Sequence, residues 1–305
     1  MAAKINLEKY IGEIKRAMNL NIEDDIIKKD LLLTLILAEF EKSDLGKNLI
    51  FKGGTLLSRN YLKYHRFSED LDFVHKDSSS IRELTRHARE RKVKEFLDIF
   101  VPKLKEIADM LGLDFSTDRS NKKYCRMLTG RTVYTFKIYY SDVNFIKVEI
   151  NFVEKNIHHP VEISIKTITD FFDSKKMLYE LGLSYQNFKV LSYPLKEIIL
   201  EKYRAALTRK EVKERDLFDL FLIKDSLKAD IDEIIEKINI SALIKRELDN
   251  LIKEKLVLLE QGDFFKSEEK IENLSIIEYD KEEFEKFKEK LKPILIEICR
   301  KFIKK

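Results

Sequence analysis

The chain has 305 residues, about twice the size of a typical domain, and can bury a sizeable core without disulfides or a structural metal. Its two cysteines, Cys125 and Cys299, show neither CxxC spacing nor a Cys/His cluster, which excludes a zinc ribbon and a disulfide framework. The 58 basic and 54 acidic residues nearly balance to a net charge of +4, so only the local distribution of charge can indicate a nucleic-acid partner.

The sequence predicts a protein of the reducing cytoplasm. Two distant cysteines fit that compartment, and the first residues contain no apolar segment of a signal peptide. The most apolar stretch, at 31–40, is too short to span a bilayer. We therefore expect a soluble, cytoplasmic protein with no membrane partner.

Hydrophobic spacing predicts a first part of mixed helices and strands and a second part of helices alone. In chain order, the first part should contain helices over 7–42, a strand at 48–51, a helix over 55–63, a strand that ends near residue 73, a charged helix over 80–112, and strands over 134–140, 146–152 and 161–165. Proline lacks the N–H of a helix interior, so the charged helix should be kinked or divided at Pro102. From Pro194 onward the pattern is helical, with breaks at 210–214 and 262–263. We therefore expect an α+β domain over 1–190 and a helical domain over 191–305.

Two of only eight glycines lie side by side, at Gly53 and Gly54, between a predicted strand and a predicted helix. Glycine lets the backbone approach another group closely, and the start of a helix offers free N–H groups and a partial positive charge. The pair is therefore either a tight strand-to-helix turn or a site for an anion such as a phosphate.

Three acidic residues on predicted strands indicate a metal site. Asp70 and Asp72 alternate with Leu71 and Phe73, so both carboxylates lie on one face of their strand. Two like charges so close together repel unless a cation joins them, and Mg²⁺ prefers such oxygen ligands. Glu149 is either an exposed residue of a later strand or a third carboxylate that strand pairing brings beside the aspartates, as a two-metal phosphoryl-transfer site requires.

A fourth group of charged residues lies on two consecutive predicted helices. Lys202 falls within the buried stripe of the first helix, where an unpaired ammonium is costly, and Arg209 lies two turns further on nearly the same face. Asp216 and Asp219 share one face of the next helix. These residues form either a structural ion-pair network or a site in which the two cations bind NTP phosphates and the aspartates orient them.

Residues 119–141 are locally basic and contain no acidic residue. Such a stretch attracts a phosphate backbone, and the tyrosines within it can stack on bases. It is therefore a candidate acceptor-binding surface, or else a basic loop beside a strand whose aromatic side chains are core. Its cations are Arg119, Lys122, Lys123, Arg126, Arg131 and Lys137.

The sequence KGGTLLSRNYLKYHRFSEDLDF at 52–73 resembles the signature of the AbiEii/AbiGii toxin-type nucleotidyltransferases, in which a GG[ST] turn precedes a spaced D-x-D. The residues Lys202, Arg209 and Arg215-Asp216-x-x-Asp219 are similar to that family's downstream K…R…RDxxD phrase. The resemblance covers roughly residues 45–225. This family belongs to the polymerase-beta-like superfamily.

The resemblance implies a polymerase-beta-like domain, with a small mixed or antiparallel sheet flanked by helices, followed by a C-terminal helical bundle that contributes residues to the site. It implies Mg²⁺-dependent transfer of a nucleoside monophosphate from an NTP, with two ions, to an RNA acceptor such as the 3′ end of tRNA. It also implies a toxin of a type IV toxin–antitoxin or phage-defence system, with an antitoxin as partner.

The resemblance assigns roles to particular residues of this sequence. The implied catalytic residues are Asp70, Asp72, Glu149, Lys202, Asp216 and Asp219, of which the first three bind metal. The implied nucleotide-binding residues are Gly53, Gly54, Thr55, Arg66, Lys202 and Arg209. For an RNA acceptor, the basic stretch supplies Lys122, Lys123, Arg126 and Arg131.

Two other classes of function use the same residues. A carboxylate-based metal nuclease or phosphatase would use the aspartates with water as the nucleophile. A non-catalytic RNA-binding module would have kept the fold alone, although intact Gly53, Asp70 and Lys202 count against this. Incubation with labelled NTPs and RNA separates these classes, because a transferase labels the RNA and a nuclease shortens it.

Overall fold

The computed structural model describes residues 7–128, 130–171, 174, 188–226, 230–241, 245–266, 271 and 275–304. It divides into two compact units. The first comprises residues 1–154 and 160–193, and the second comprises residues 155–159 and 194–305. In the described part of the chain, no helix combines the length and the apolar character needed to cross a membrane.

The first unit is built around a seven-stranded mixed sheet. Its strands are β1 (Leu49–Lys52), β2 (Asp70–His75), β3 (Cys125–Leu128), β4 (Val133–Tyr139), β5 (Phe145–Asn151), β6 (Val161–Ser164) and β7 (Lys189–Ser192). Their order is β3-β4-β5-β2-β1-β7-β6. Strand β2 lies in the interior of the sheet, parallel to β5 and antiparallel to β1, so its residues have neighbours on both sides.

The first unit contains the helices α1 (Glu8–Ala17), α2 (Asp24–Lys42), α3 (Gly53–Leu56), α4 (Ser78–Glu83) and α5 (Arg86–Met110). The two longest of these, α2 and α5, pack on one face of the sheet. Phe40 of α2 contacts Phe73 of β2, with ring centroids 5.6 Å apart, and Phe100 of α5 contacts Phe136 of β4 at 5.4 Å. This face is the core face, and the opposite face of β2 and β5 carries the charged residues.

Three features of the first unit differ from the sequence-based expectation, and one of them is strand β7, a four-residue segment for which no strand was predicted. Helix α5 is continuous through Pro102 instead of divided there, and the interruption lies at Leu84 and Thr85, where ψ is 153° and 158°. One missing N–H is tolerated because the apolar side of this 25-residue helix stays buried. Strand β3 was not predicted, because three of its four residues are exposed and it shows no alternation.

The described part of the second unit is helical, with α6 (Leu195–Thr208), α7 (Glu214–Leu222), α8 (Ile231–Ser241), α9 (Lys245–Gln261) and α10 (Lys281–Lys304). Its core includes a contact between Phe218 of α7 and Phe284 of α10, at 5.5 Å between ring centroids. Glu197 of α6 and Lys237 of α8 form a fully buried ion pair at 2.7 Å. Together the two units give the mixed α+β fold class that the sequence predicts.

Candidate active site

Strand pairing in the first unit brings the carboxylates of two distant segments together. Strands β2 and β5 are parallel, and their register places Asp70 opposite Lys147 and Asp72 opposite Glu149. Residues paired in this way extend to the same face of a sheet. Glu149 therefore lies beside the Asp70/Asp72 pair, as the strand-pairing interpretation of the sequence requires. We call these three carboxylates the carboxylate cluster.

Lys147 is a member of this site that the sequence analysis did not assign. Its Nζ lies 2.9 Å from Oδ2 of Asp70 and 3.7 Å from Oε2 of Glu149. Burial alone would lower the pKa of Lys147, but the negative charges of Asp72, Asp70 and Glu149 raise it above its usual value. The lysine is therefore a charged ammonium that offsets part of the repulsion within the carboxylate cluster.

Asp72 shows that one ammonium does not balance the cluster. Burial of its carboxyl group, together with the neighbouring charges of Asp70 and Glu149, raises the pKa of Asp72 to about 7, although Lys147 and Lys52 act in the opposite direction. A carboxyl group with this environment tends to hold a proton or a cation near neutral pH. The site is thus electrostatically prepared for additional positive charge.

The donor chemistry of the carboxylate cluster fits a hard divalent cation such as Mg²⁺, which prefers carboxylate oxygens. As the side chains stand, no three His, Cys, Asp or Glu residues of the described ranges are placed to share one ion. The Lys147 ammonium lies between Asp70 and Glu149, which keeps their oxygens apart. An ion that binds here must therefore displace Lys147 from Asp70.

Replacing Lys147 with Met should tighten metal binding, because the ammonium then no longer competes for the carboxylates. A partly exposed ion pair contributes up to about 1 kcal/mol, so we expect Mn²⁺ to bind roughly fivefold more tightly in calorimetric titrations without nucleotide. Lys137→Met is a matched control, since Lys137 pairs with Lys147 across β4 and β5 on the same face. Unchanged or weaker binding by Lys147→Met would show that the lysine does not compete with the ion.

The glycine turn borders the carboxylate cluster at Asp72. Gly53 has a φ of +82°, in the left-handed region, and a Cβ placed there would overlap the carboxylate of Asp72. A Cβ at Gly54 would lie 2.9 Å from Nη2 of Arg66, which is closer than side chains tolerate. Gly53 is therefore needed for the backbone to pass this close to Asp72, whereas a side chain at position 54 would push aside the guanidinium of Arg66.

Two residues that the resemblance assigns to nucleotide binding are buried beneath the turn. The Thr55 hydroxyl donates to the carbonyl oxygen of Asp70 and lies 2.9 Å from the hydroxyl of Ser68. Arg66 donates from Nη1 to the carbonyl oxygen of Phe67 at 3.0 Å. The Thr55 bond fixes the start of β2 and so positions Asp70. Contact of Thr55 or Arg66 with a nucleotide stays a prediction.

Lys202 of the second unit contacts two buried carboxylates. Its Nζ lies 2.8 Å from Oδ1 of Asp216 and 2.6 Å from Oδ2 of Asp219, and Arg209 pairs with the other oxygen of Asp216. Burial would raise the pKa of Asp216, but Lys202 and Arg209 lower it below its usual value. These contacts form the ion-pair network that the structural interpretation predicts. Phosphate binding by Lys202 and Arg209 stays a prediction.

The sheet divides the basic stretch between its two faces. Arg126 of β3 pairs in register with Thr135 of β4, whose hydroxyl lies 3.3 Å from Glu149, so Arg126 belongs to the face of the carboxylate cluster. Arg131 instead lines a cavity of about 430 Å³ together with α5 and with Tyr134, a buried residue of the core face. The stretch is therefore not the single acceptor surface that the sequence suggested.

Two cations of the stretch already have carboxylate partners nearby. Lys123 lies 2.8 Å from Asp114, and Arg119 lies 2.7 Å from Asp98. Lys122 is exposed. Local pairing reduces the charge that Lys123 and Arg119 can offer to a phosphate backbone, which the sequence alone did not reveal.

Comparisons with known proteins identify the family and support the fold of the chain. A family model described as the nucleotidyl transferase AbiEii toxin of type IV toxin–antitoxin systems matches residues 35–299. Among solved structures, the chain is similar to MenT4, a nucleotidyltransferase toxin from Mycobacterium tuberculosis H37Rv, with a TM-score of 0.50 and 13% sequence identity. That match covers 96% of this chain and 98% of the other, and at such identity it supports the fold alone. A search of curated proteins found no match.

Proposed function

Because the chain belongs to the AbiEii nucleotidyltransferase toxin family of type IV toxin–antitoxin systems, it is a nucleotidyltransferase, and we propose that it transfers a nucleoside monophosphate from an NTP to RNA. The observation that carries this proposal is the carboxylate cluster of β2 and β5 with the glycine turn against it. The proposed acceptor is the 3′ end of an RNA such as tRNA. The proposed partner protein is an antitoxin, and the proposed compartment is the cytoplasm.

The chemistry requires two substrates to meet at the cluster. A hydroxyl oxygen of the acceptor forms a bond to the α-phosphorus of the NTP, the bond to pyrophosphate breaks, and the hydroxyl proton leaves to a base. Divalent ions, which Asp70, Asp72 and Glu149 would hold, supply charge stabilisation of the phosphates when bound. We propose that Asp70 orients the attacking hydroxyl and that Lys147, once displaced from the carboxylates, contacts an oxygen of the transferred phosphate.

We propose that the triphosphate binds at the turn of Gly53 and Gly54, because the lack of side chains there lets a phosphate come close to the backbone N–H groups. Thr55 ties the turn to the first residue of β2 through its bond to the carbonyl oxygen of Asp70, and the guanidinium of Arg66 lies against Gly54. In the second unit, we assign Lys202 and Arg209 to phosphate binding and Asp216 and Asp219 to their orientation. The support for this assignment is the match of these residues to the family phrase.

For the RNA acceptor, we propose contacts to Lys122, Lys123, Arg126 and Arg131. Arg126 has the strongest support, since it shares the face of the carboxylate cluster and is exposed. Arg131 could contact only a part of the acceptor that reaches the core-face side of the sheet edge. Affinity from such contacts should fall steeply with salt concentration, because bound cations are released from the RNA.

The deciding experiment incubates the full chain with total RNA, Mg²⁺ and each NTP labelled at the α-phosphate. We expect label to enter RNA with at least one NTP, and no label to enter when the γ-phosphate carries it, because pyrophosphate leaves. Omission of Mg²⁺ should abolish the transfer. Shortened, unlabelled RNA would instead support the nuclease, and bound but unchanged RNA would support the RNA-binding module.

A further inference from the structure

A second cavity of about 430 Å³ opens at the other end of the carboxylate cluster. Asp70 and Lys147 line it, whereas the glycine turn meets the cluster at Asp72. Its size falls within the range of small-molecule sites in proteins.

The walls of this cavity combine apolar side chains with hydrogen-bond acceptors. Phe67, Phe145 and Val143 supply apolar surface, and Val143 is 75% exposed at the rim. Asp25 accepts hydrogen bonds from the Tyr140 hydroxyl at 2.6 Å and from an amide nitrogen at 3.3 Å. Its oxygens keep free lone pairs, so an amino group of a ligand can still donate to them.

The charge of the cavity disfavours a phosphate inside it. The two lysines of its lining are each paired with a carboxylate of the same lining, Lys29 with Glu69 at 2.9 Å and Lys147 with Asp70 at 2.9 Å. Asp25 adds a further negative charge. A flat, neutral ring that stacks on an aromatic wall and donates to a carboxylate fits this environment, and a nucleobase has that chemistry.

Two cations lie on this face of the sheet, Lys137 on β4 and Arg126 on the edge strand β3. Lys137 lies over the ring of Phe145, with its Nζ 4.1 Å from the ring centroid. Arg126 lies on the same face and is close enough to Lys137 to lower the pKa of that lysine, after the larger effect of burial. A strand whose last base occupied the cavity would therefore have its next phosphates at Lys137 and Arg126.

The in-line geometry of phosphoryl transfer favours the acceptor over the NTP as the ligand of this cavity. In phosphoryl transfer the attacking and leaving oxygens are roughly in line on opposite sides of the phosphorus. With the triphosphate at the glycine turn beside Asp72, the attacking hydroxyl approaches from the Asp70 end. Resting on the function proposed above, we propose that the cavity beside Asp70 binds the terminal nucleoside of a single-stranded RNA acceptor, and that Lys137 and Arg126 hold its adjoining phosphates.

The test compares two short single-stranded RNAs that differ only in whether the 3′-terminal nucleotide carries a base. Base stacking in such sites is worth roughly 1–3 kcal/mol, so the wild-type chain should bind the complete RNA at least about fivefold more tightly than the abasic one, measured by fluorescence anisotropy without NTP. Val143→Trp fills the cavity from its exposed rim and should bind both RNAs equally. Val161→Trp, a matched substitution on the exposed edge strand β6, should retain the wild-type difference.

A further variant distinguishes contacts to the RNA base from contacts to the RNA backbone. Arg126→Ala should weaken both RNAs by the same factor and flatten the salt dependence of binding, because it removes a phosphate contact only. In transfer assays, Val143→Trp should raise the acceptor KM about tenfold and leave the NTP KM within about twofold. A raised NTP KM with an unchanged acceptor KM, or equal binding of both RNAs by the wild type, would overturn the proposal. Absence of any transfer by the wild type would instead overturn the proposed function.

Discussion

Asp72→Asn should reduce nucleotidyl transfer by about a thousandfold or more and leave the fold intact. Loss of a single preorganised group at a transition-state charge costs about 10²–10³ in rate, and loss of a metal ligand removes a larger electrostatic contribution. Asp72 lies between the glycine turn and Glu149, so it is the carboxylate nearest to the proposed triphosphate. The measurement is kcat/KM for the NTP at saturating Mg²⁺.

The expected change in stability of the same variant is opposite to that caused by the loss of one member of a buried ion pair. The pKa of Asp72 is raised to about 7, so at pH 8 its carboxyl group is ionised in surroundings that disfavour the charge. Asparagine removes the repulsion from Asp70 and Glu149 at nearly constant volume. We therefore expect Asp72→Asn to melt at or above the wild-type temperature at pH 8 without metal.

Asp77→Asn is the matched control for this variant. Asp77 is exposed and lies two residues beyond the end of β2, so the substitution makes the same chemical change close to the site but outside the strand. It should change neither transfer nor melting. An Asp72→Asn variant that retains transfer within about tenfold, or that melts well below wild type, would show that Asp72 is not the metal ligand proposed.

Local sequence patterns could predict only those features of the site that depend on a single strand. Alternation along β2 placed Asp70 and Asp72 on one face, and it placed Lys147 and Glu149 on one face of β5. Which residues of the two faces meet is decided by a parallel register between segments far apart in sequence. The pairing of Lys147 with Asp70 was therefore beyond local pattern, although its position on the polar face of β5 was the available signal.

The basic stretch shows why composition does not define a surface. Its cations are close in sequence, but Arg126 lies on β3, whereas Arg131 lies between β3 and β4 and lines a cavity with α5, so the two meet different surroundings. The carboxylates that pair with Lys123 and Arg119 lie outside the stretch, at Asp114 and Asp98. A count of charges over a window cannot include partners that folding brings from elsewhere.

The charges around Lys202 posed a question that only tertiary packing answers. Helical spacing indicated that Lys202 is buried and that Asp216 and Asp219 share a face, but it did not give the balance of charge between them. A phosphate-binding role alone would leave an under-compensated positive pocket in the free chain. The contacts show instead that Lys202 lies between two buried carboxylates and that Arg209 pairs with one of them, so removal of Lys202 should destabilise the fold.

Lys202→Met should destabilise the second unit strongly, in addition to any effect on catalysis. Breaking a buried pair from one side costs roughly 3–5 kcal/mol, because the carboxylates it leaves behind stay buried and charged. Lys202 has a side-chain exposure of 9%, and Asp216 and Asp219 have exposures of 2% and 0%. The measurement is the free energy of unfolding from urea titrations without nucleotide.

Two further variants separate the ion pair from lost packing. Arg209→Met removes a partner that is 43% exposed and should cost at most about 1 kcal/mol. Lys202→Met combined with Asp219→Asn removes a buried charge together with its counter-charge, so the double variant should recover part of the loss seen in Lys202→Met alone. If the double variant recovers no stability, the loss is due to the packing of the lysine side chain. Near-wild-type stability of Lys202→Met would contradict the paired arrangement. Because the folded fraction is known from the same titrations, kcat/KM per folded molecule then tests the phosphate role of Lys202 independently of its structural one.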